Sequence, residues 1–173
     1  MRHALRLHPD SRCAAVTGIE VAVARPQAGE LALHYFVTGK MSDVRLPPVT
    51  APARTDELWR HTCLEAFVRA GSGYLEFNFS PSTAWAAYRF SAYRAGMAPA
   101  MDVRAPRLEV RSSAVSFEME VLLALPDDAT GPLGLSAVIE ETGGGKSYWA
   151  LVHPPGRADF HHADCFALQL PAA

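Results

Sequence analysis

The chain has 173 residues, 49% of them hydrophobic and 20% charged, with a net charge of −2. That length predicts one domain, residues 1–173, with enough chain to bury a full core. The near-neutral charge, with fourteen arginines and two lysines scattered along the chain, gives no electrostatic footprint for nucleic acid or an anionic membrane.

The opening MRHALRLHPDSRC has no apolar h-region. No later stretch approaches the roughly 20 apolar residues of a membrane helix. Both observations predict a cytoplasmic protein. Cys13, Cys63 and Cys165 are odd in number and widely spaced, which fits reduced, inert thiols and excludes a CxxC motif.

Strand signals then follow along almost the whole chain. Gly18 to Ala24 alternates weakly, and Glu30 to Thr38 strongly, with Leu31, Leu33, Tyr35 and Val37 on one side. Met41 to Pro52 holds Pro47, Pro48 and Pro52 and predicts a loop or edge segment. Trp59 to Val68 and Tyr74 to Ser80 predict a hairpin around Ala70-Gly71-Ser72-Gly73, with Ala66 near Leu75 and Leu64 near Phe77. Thr83 to Met97 mixes helix formers with aromatic residues; Ala84 to Phe90 reads as strand, then a turn or short helix to Gly96.

Arg107 to Arg111 and Val115 to Leu125 predict a second hairpin, with Val115, Phe117, Met119, Val121 and Leu123 facing one way and Ser116, Glu118 and Glu120 the other. Leu133 to Glu141, Ser147 to Val152 and Cys165 to Leu170 complete the strands. Short strands separated by turn signals predict an all-β antiparallel sandwich or barrel.

The first hairpin carries the most chemistry. One face holds Thr62, Leu64, Ala66, Val68, Leu75, Phe77 and Phe79; the other holds Trp59, His61, Cys63, Glu65, Phe67, Tyr74, Glu76, Asn78 and Ser80. Aromatic rings, two carboxylates, an amide and an imidazole on one face can hold a small polar ligand. A solvated outer face is the alternative, since antiparallel sheets often wet one side. Glu65 and Glu76 fall close enough across the hairpin to raise one another's pKa, as a pair used in acid–base chemistry would.

HPPGRADFHHADC, residues 153–165, packs His153, Asp159, His161, His162 and Asp164 into thirteen positions. Those residue types suit a divalent metal, with His153, Asp159, His161 and Asp164 as candidate ligands. Against this, adjacent His161 and His162 would point apart in an extended chain. Folding of the loop on itself through hydrogen bonds explains the cluster equally. No nucleophile elbow, HExxH or dinucleotide fingerprint occurs, and Gly143-Gly144-Gly145-Lys146-Ser147 lacks the first glycine of a P-loop. Trp85 reads as a packing residue. Trp59 and Trp149 could face one another across a shallow site, as flat rings that suit the C–H face of a sugar.

The blocks LWRHTCLEAFV, YLEFNFSPSTAWAAYRF, YRAGM and SYWALVHPPGRADFHHADCFALQL resemble the bacterial DOMON-like proteins related to the family nine carbohydrate-binding modules. The resemblance runs from about Leu5 to Leu170 and implies a single-domain, jelly-roll type β-sandwich with a ligand site on one sheet or its rim. In the sugar-binding relatives two tryptophans clamp a terminal sugar and an acid follows the first by six positions. Trp59 and Glu65 have that spacing here, and Trp149 best matches the second tryptophan. Where those relatives place a base on the next strand, this chain has Glu76 and Asn78. Other DOMON domains bind haem through Met and His; Met119 and His153 are the residues available for comparison.

The resulting expectation is a non-catalytic module for a sugar or sugar-like metabolite. Its site would comprise Trp59, His61, Glu65, Glu76, Asn78, Ser80, Trp149 and His153, with no cofactor. The oligomeric state stays open. A metal-dependent hydrolase using the histidine loop and a haem or cofactor carrier are the alternatives.

Overall fold

A computed structural model describes residues 1–172. Eleven strands form one continuous antiparallel sheet: β1 (Arg2–Leu7), β2 (Val16–Ala24), β3 (Glu30–Gly39), β4 (Cys63–Ala70), β5 (Gly73–Phe79), β6 (Trp85–Phe90), β7 (Ala98–Pro99), β8 (Arg107–Ser112), β9 (Ser116–Ala124), β10 (Leu133–Glu140) and β11 (Lys146–Ala150). Their order is β7-β6-β5-β4-β10-β11-β1-β2-β3-β9-β8.

The sheet folds over on itself at β1. Arg2 to Leu5 pair with β2, and Arg6 and Leu7 pair with β11. Two halves therefore face each other as a sandwich. The β3 half contains β2, β3, β9 and β8; the β5 half contains β7, β6, β5, β4, β10 and β11.

Alternation determines which side chains fill the space between them. From the β3 half come Ile19, Val21, Leu31, Leu33, Tyr35, Phe117, Met119, Val121 and Leu123. The β5 half supplies Leu64, Ala66, Val68, Leu75, Phe77, Phe79, Trp85, Leu133, Leu135 and Trp149. Tyr35 is fully buried, and its hydroxyl crosses the sandwich to donate to the Glu65 carbonyl at 2.8 Å. That bond satisfies the one polar atom the ring brings into the core.

The structure alters several expectations. The first hairpin closes on the two-residue loop Gly71-Ser72, with Ala70 opposite Gly73, Leu64 opposite Phe79 and Ala66 opposite Phe77. The register differs by two residues from that expected, so each side chain stays on its expected face. Gly71 has φ +53°, a conformation glycine adopts without strain, and a Cβ on Gly73 would come within 1.9 Å of the Phe90 carbonyl oxygen. The tight turn and the close approach of β6 thus both require glycine.

Trp59 is not on a strand; it sits in a 3-10 helix, Leu58–Arg60. Cys165 to Leu170 is not a strand either. A 3-10 helix spans Ala163–Cys165, and only Leu168 bridges back to Leu133. β1 and β7 lack an apolar alternation that would mark them. Val115 lies in the turn before β9 and is exposed.

Candidate functional site

The outer surface of the β5 half holds a second apolar cluster. Phe67 of β4, Tyr74 of β5, and Ala86, Tyr88 and Phe90 of β6 pack with Phe166, and Leu58, Trp59 and Phe160 lean on them. Tyr74 stacks on Phe90 with ring centres 4.8 Å apart, and Phe166 stands edge-on to Phe67 and Tyr74. The segment after β11 therefore lies across the outer face of this half and removes it from water.

Beside this cluster opens a cleft of about 400 Å³, lined by Trp59, Glu65, Glu76, Phe90, Arg94, Met97, Val138, Tyr148, Ala158, Phe160 and His161. Its floor is β4, β5, β10 and β11; its walls are the 3-10 helix at Trp59, the turn after β6, and the segment after β11. Two of these walls depend on left-handed backbone at non-glycine residues: Glu57 (φ 63°) opens the Trp59 helix, and Arg94 (φ 52°) sits in the β6–β7 turn. Such conformations are uncommon and persist where surrounding contacts hold them. Arg94 is held through its backbone N–H, which donates to the Tyr74 hydroxyl at 3.2 Å.

Two carboxyl groups dominate the floor. Glu65 lies opposite Asn78 and Ser136, while Glu76 lies opposite Phe67, so the acids are diagonal neighbours on adjacent strands. Glu65 is only 2% exposed, and Ser136 Oγ donates to one of its oxygens at 3.2 Å. Asn78 Nδ2 donates to Glu76 Oε1 at 2.8 Å, and Glu76 Oε2 lies 3.8 Å from His161 Nε2.

Burial, reinforced by the neighbouring Glu76 charge, holds Glu65 well above the usual carboxylate range, with the Ser136 bond opposing it. Burial likewise pushes Glu76 up to about 7, against the Asn78 bond and the positive charge of Arg94. His161 moves the other way: burial, then Arg94, push it down to about 4. Its Nδ1 is 2.8 Å from the Tyr74 hydroxyl. Arg94 itself makes two bonds to Asp159 Oδ1, at 2.8 and 3.2 Å, and the Tyr93 hydroxyl also donates to Asp159.

Of the residues expected at the site, Trp59, Glu65 and Glu76 meet in the cleft, and Asn78 supports them from the buried floor. Trp149 does not face Trp59. It projects into the main core, 5% exposed, with its indole N–H donating to Ser147 Oγ at 3.0 Å. Its neighbour Tyr148 alternates to the other face of β11 and lines the cleft instead.

His61 bonds Glu140 Oε2 at 2.7 Å and, with Ser80, lines a separate rim depression beside Arg45, Asp56 and Arg60. His153 lies near the far end of β1, bonded to the Arg6 carbonyl at 2.8 Å and edge-on to His8. The candidate metal ligands are also divided. Asp159 is occupied by Arg94, His161 by Tyr74, and Asp164 by a 3.5 Å contact with His162. Among the described residues no three His, Cys, Asp or Glu side chains converge as a metal site. Met119 is fully buried in the main core.

Arg94, Tyr148, Phe160 and Phe90 line the cleft without having been expected there. Alternation could have found Tyr148, since it pairs with Val138 and not with the core-facing Ala137. Arg94 and Phe160 lie in irregular segments, where no period reports direction.

No family model matches the chain, and no curated protein matches it. Among solved structures, the fold is similar to a candidate carbohydrate-binding protein from Bacteroides uniformis, with TM-score 0.62, 14% identity, and coverage of 95% of this chain and 83% of that one. It is also similar to a family nine carbohydrate-binding module from Caldicellulosiruptor kristjanssonii in complex with cellotriose, with TM-score 0.54, 10% identity, and coverage of 90% and 74%. At these identities the likeness is one of fold: an all-β antiparallel sandwich.

Proposed function

We propose that the chain is a non-catalytic binding module that takes a sugar or sugar-like ligand in the Glu65–Glu76 cleft. The observation that carries this reading is the pairing of an aromatic rim, Trp59, Tyr148 and Phe160, with two buried carboxyl groups on the floor. Sugars present apolar C–H faces to rings and hydroxyls to carboxyl and amide groups, and the cleft offers both. The fold shared with a module seen with cellotriose supports the same reading.

Thermal unfolding of the full chain in the presence of mono- and oligosaccharides tests the proposal. A sugar at about 100 times its Kd adds roughly 2.7 kcal/mol of stability. The expected result is a shift with at least one sugar that is lost in Trp59→Ala while the unliganded variant stays folded. Silence across the sugar panel, or a shift undiminished in Trp59→Ala, would overturn it.

A further inference from the structure

The floor of the cleft holds two carboxyl groups whose neighbouring donors are already committed. Ser136 Oγ is committed to Glu65, Asn78 Nδ2 to Glu76, and the Tyr74 hydroxyl and His161 Nδ1 to each other. Each glutamate thus gives one oxygen to a protein donor. The second oxygen of Glu65 has no protein partner among the described residues, and that of Glu76 has only the distant His161 Nε2. The single cationic side chain lining the cleft, Arg94, is already matched by Asp159. Four aromatic rings surround this acidic floor: Trp59, Phe90, Tyr148 and Phe160.

Beside the two free carboxyl oxygens a neutral sugar hydroxyl has one hydrogen to give. An ammonium donates three hydrogen bonds and accepts none. Its bonds to carboxylates are charge-assisted and about twice as strong as neutral ones. The faces of the surrounding rings attract cations as well.

We propose that the cleft selects a ligand bearing a protonated amine, an amino sugar in preference to its neutral counterpart, with the ammonium seated between Glu65 and Glu76. This rests on the sugar-binding reading above. The ammonium takes the place of the proton that burial otherwise keeps on the pair. Trp59 and Tyr148 hold the sugar ring.

The test is calorimetric titration of the full chain at neutral pH with glucosamine, glucose and N-acetylglucosamine. The last keeps the nitrogen but not its charge. Glucosamine is expected to bind about tenfold more tightly than either neutral sugar. Glu76→Gln, which keeps the oxygen that accepts from Asn78, is expected to erase that preference, read as the ratio of glucosamine to glucose affinity. Equal or tighter binding of a neutral sugar by the wild-type chain would overturn the amine proposal and leave the sugar site standing, and it needs no variant to fold. A preference that survives Glu76→Gln would overturn it too. Absence of binding by all three sugars would overturn the amine proposal, while the sugar-binding reading falls only on silence across the wider mono- and oligosaccharide panel.

Discussion

The outer faces of the two sheet halves both carry paired glutamates, which end in opposite environments. On the β3 half, β9 alternates between buried and half-buried residues, and its outward glutamates meet nitrogen-bearing partners: Glu118 lies 3.0 Å from His34, and Glu120 pairs with Arg111. On the β5 half, every residue of β5 and of β10 is buried, and the outward glutamates Glu65 and Glu76 meet no free cation. The outward residues differ too: Phe67, Tyr74, Tyr88 and Phe90 of the β5 half carry a cover, the 3-10 helix of Trp59 and the segment with Phe160, His161 and Phe166, where β9 meets water. Outward glutamates lie on a solvated surface in one place and on the floor of a covered cleft in the other.

Stripping the cover should break this contrast most strongly. Phe166 is 7% exposed against Phe67 and Tyr74, and Phe166→Ala is expected to cost about 3 kcal/mol in urea unfolding. In the same variant water reaches the floor, so the Glu76 carboxyl, followed by NMR titration, should fall back towards its ordinary value of 4.5. A Glu76 unmoved in Phe166→Ala would show that the cover is not what raises it.

The pH dependence of stability comes next. A carboxyl whose folded pKa is raised keeps its proton in the folded chain after the unfolded chain has lost it. Stability therefore falls as pH rises from 4.5 towards 7, and the Glu76 contribution is constant above that. Glu76 accounts for a loss on the order of 3 kcal/mol across this window, and Glu65 adds to it with the same sign. Glu76→Gln should flatten the slope and be more stable than wild type at pH 8 by denaturant unfolding. A parallel profile for the two proteins would contradict the buried-acid description.

The smallest effect belongs to the open half. Arg111→Ala removes the partner of Glu120 on a solvated edge and should change stability by less than about 0.5 kcal/mol, leaving the proposed sugar binding unaltered. A larger loss there would mean that the two faces are less different than their cover suggests.

Much of the strand pattern was legible because burial on one side imposes a period of two. The faces of the first hairpin came out correctly even with its register displaced, since a shift of two residues preserves facing. Glu65 and Glu76 could be assigned to one surface for that reason. What could not be read was whether that surface is covered. Phe160 and Phe166 belong to a segment with no strand period, and its histidines suggest a metal site as readily as a lid. Trp149 misled because residue type outweighed parity: a tryptophan beside a tyrosine suggested the clamp, but alternation gives the cleft to Tyr148. β1, RHALRL, carries too few apolar residues to announce itself, yet it joins the two halves.

That junction bears on how the chain reaches its fold. β1 makes its short pairing with β11 through Arg6 and Leu7, at the opposite end of the sequence. The β4–β10 pairing is also distant in sequence. Closing such large loops costs entropy before any contact rewards it, which places all-β chains of this kind among the slow folders, in milliseconds to seconds. Neither half closes on local hairpins alone: β3 must find β9, β4 must find β10, and the seam must bring β1 to β11.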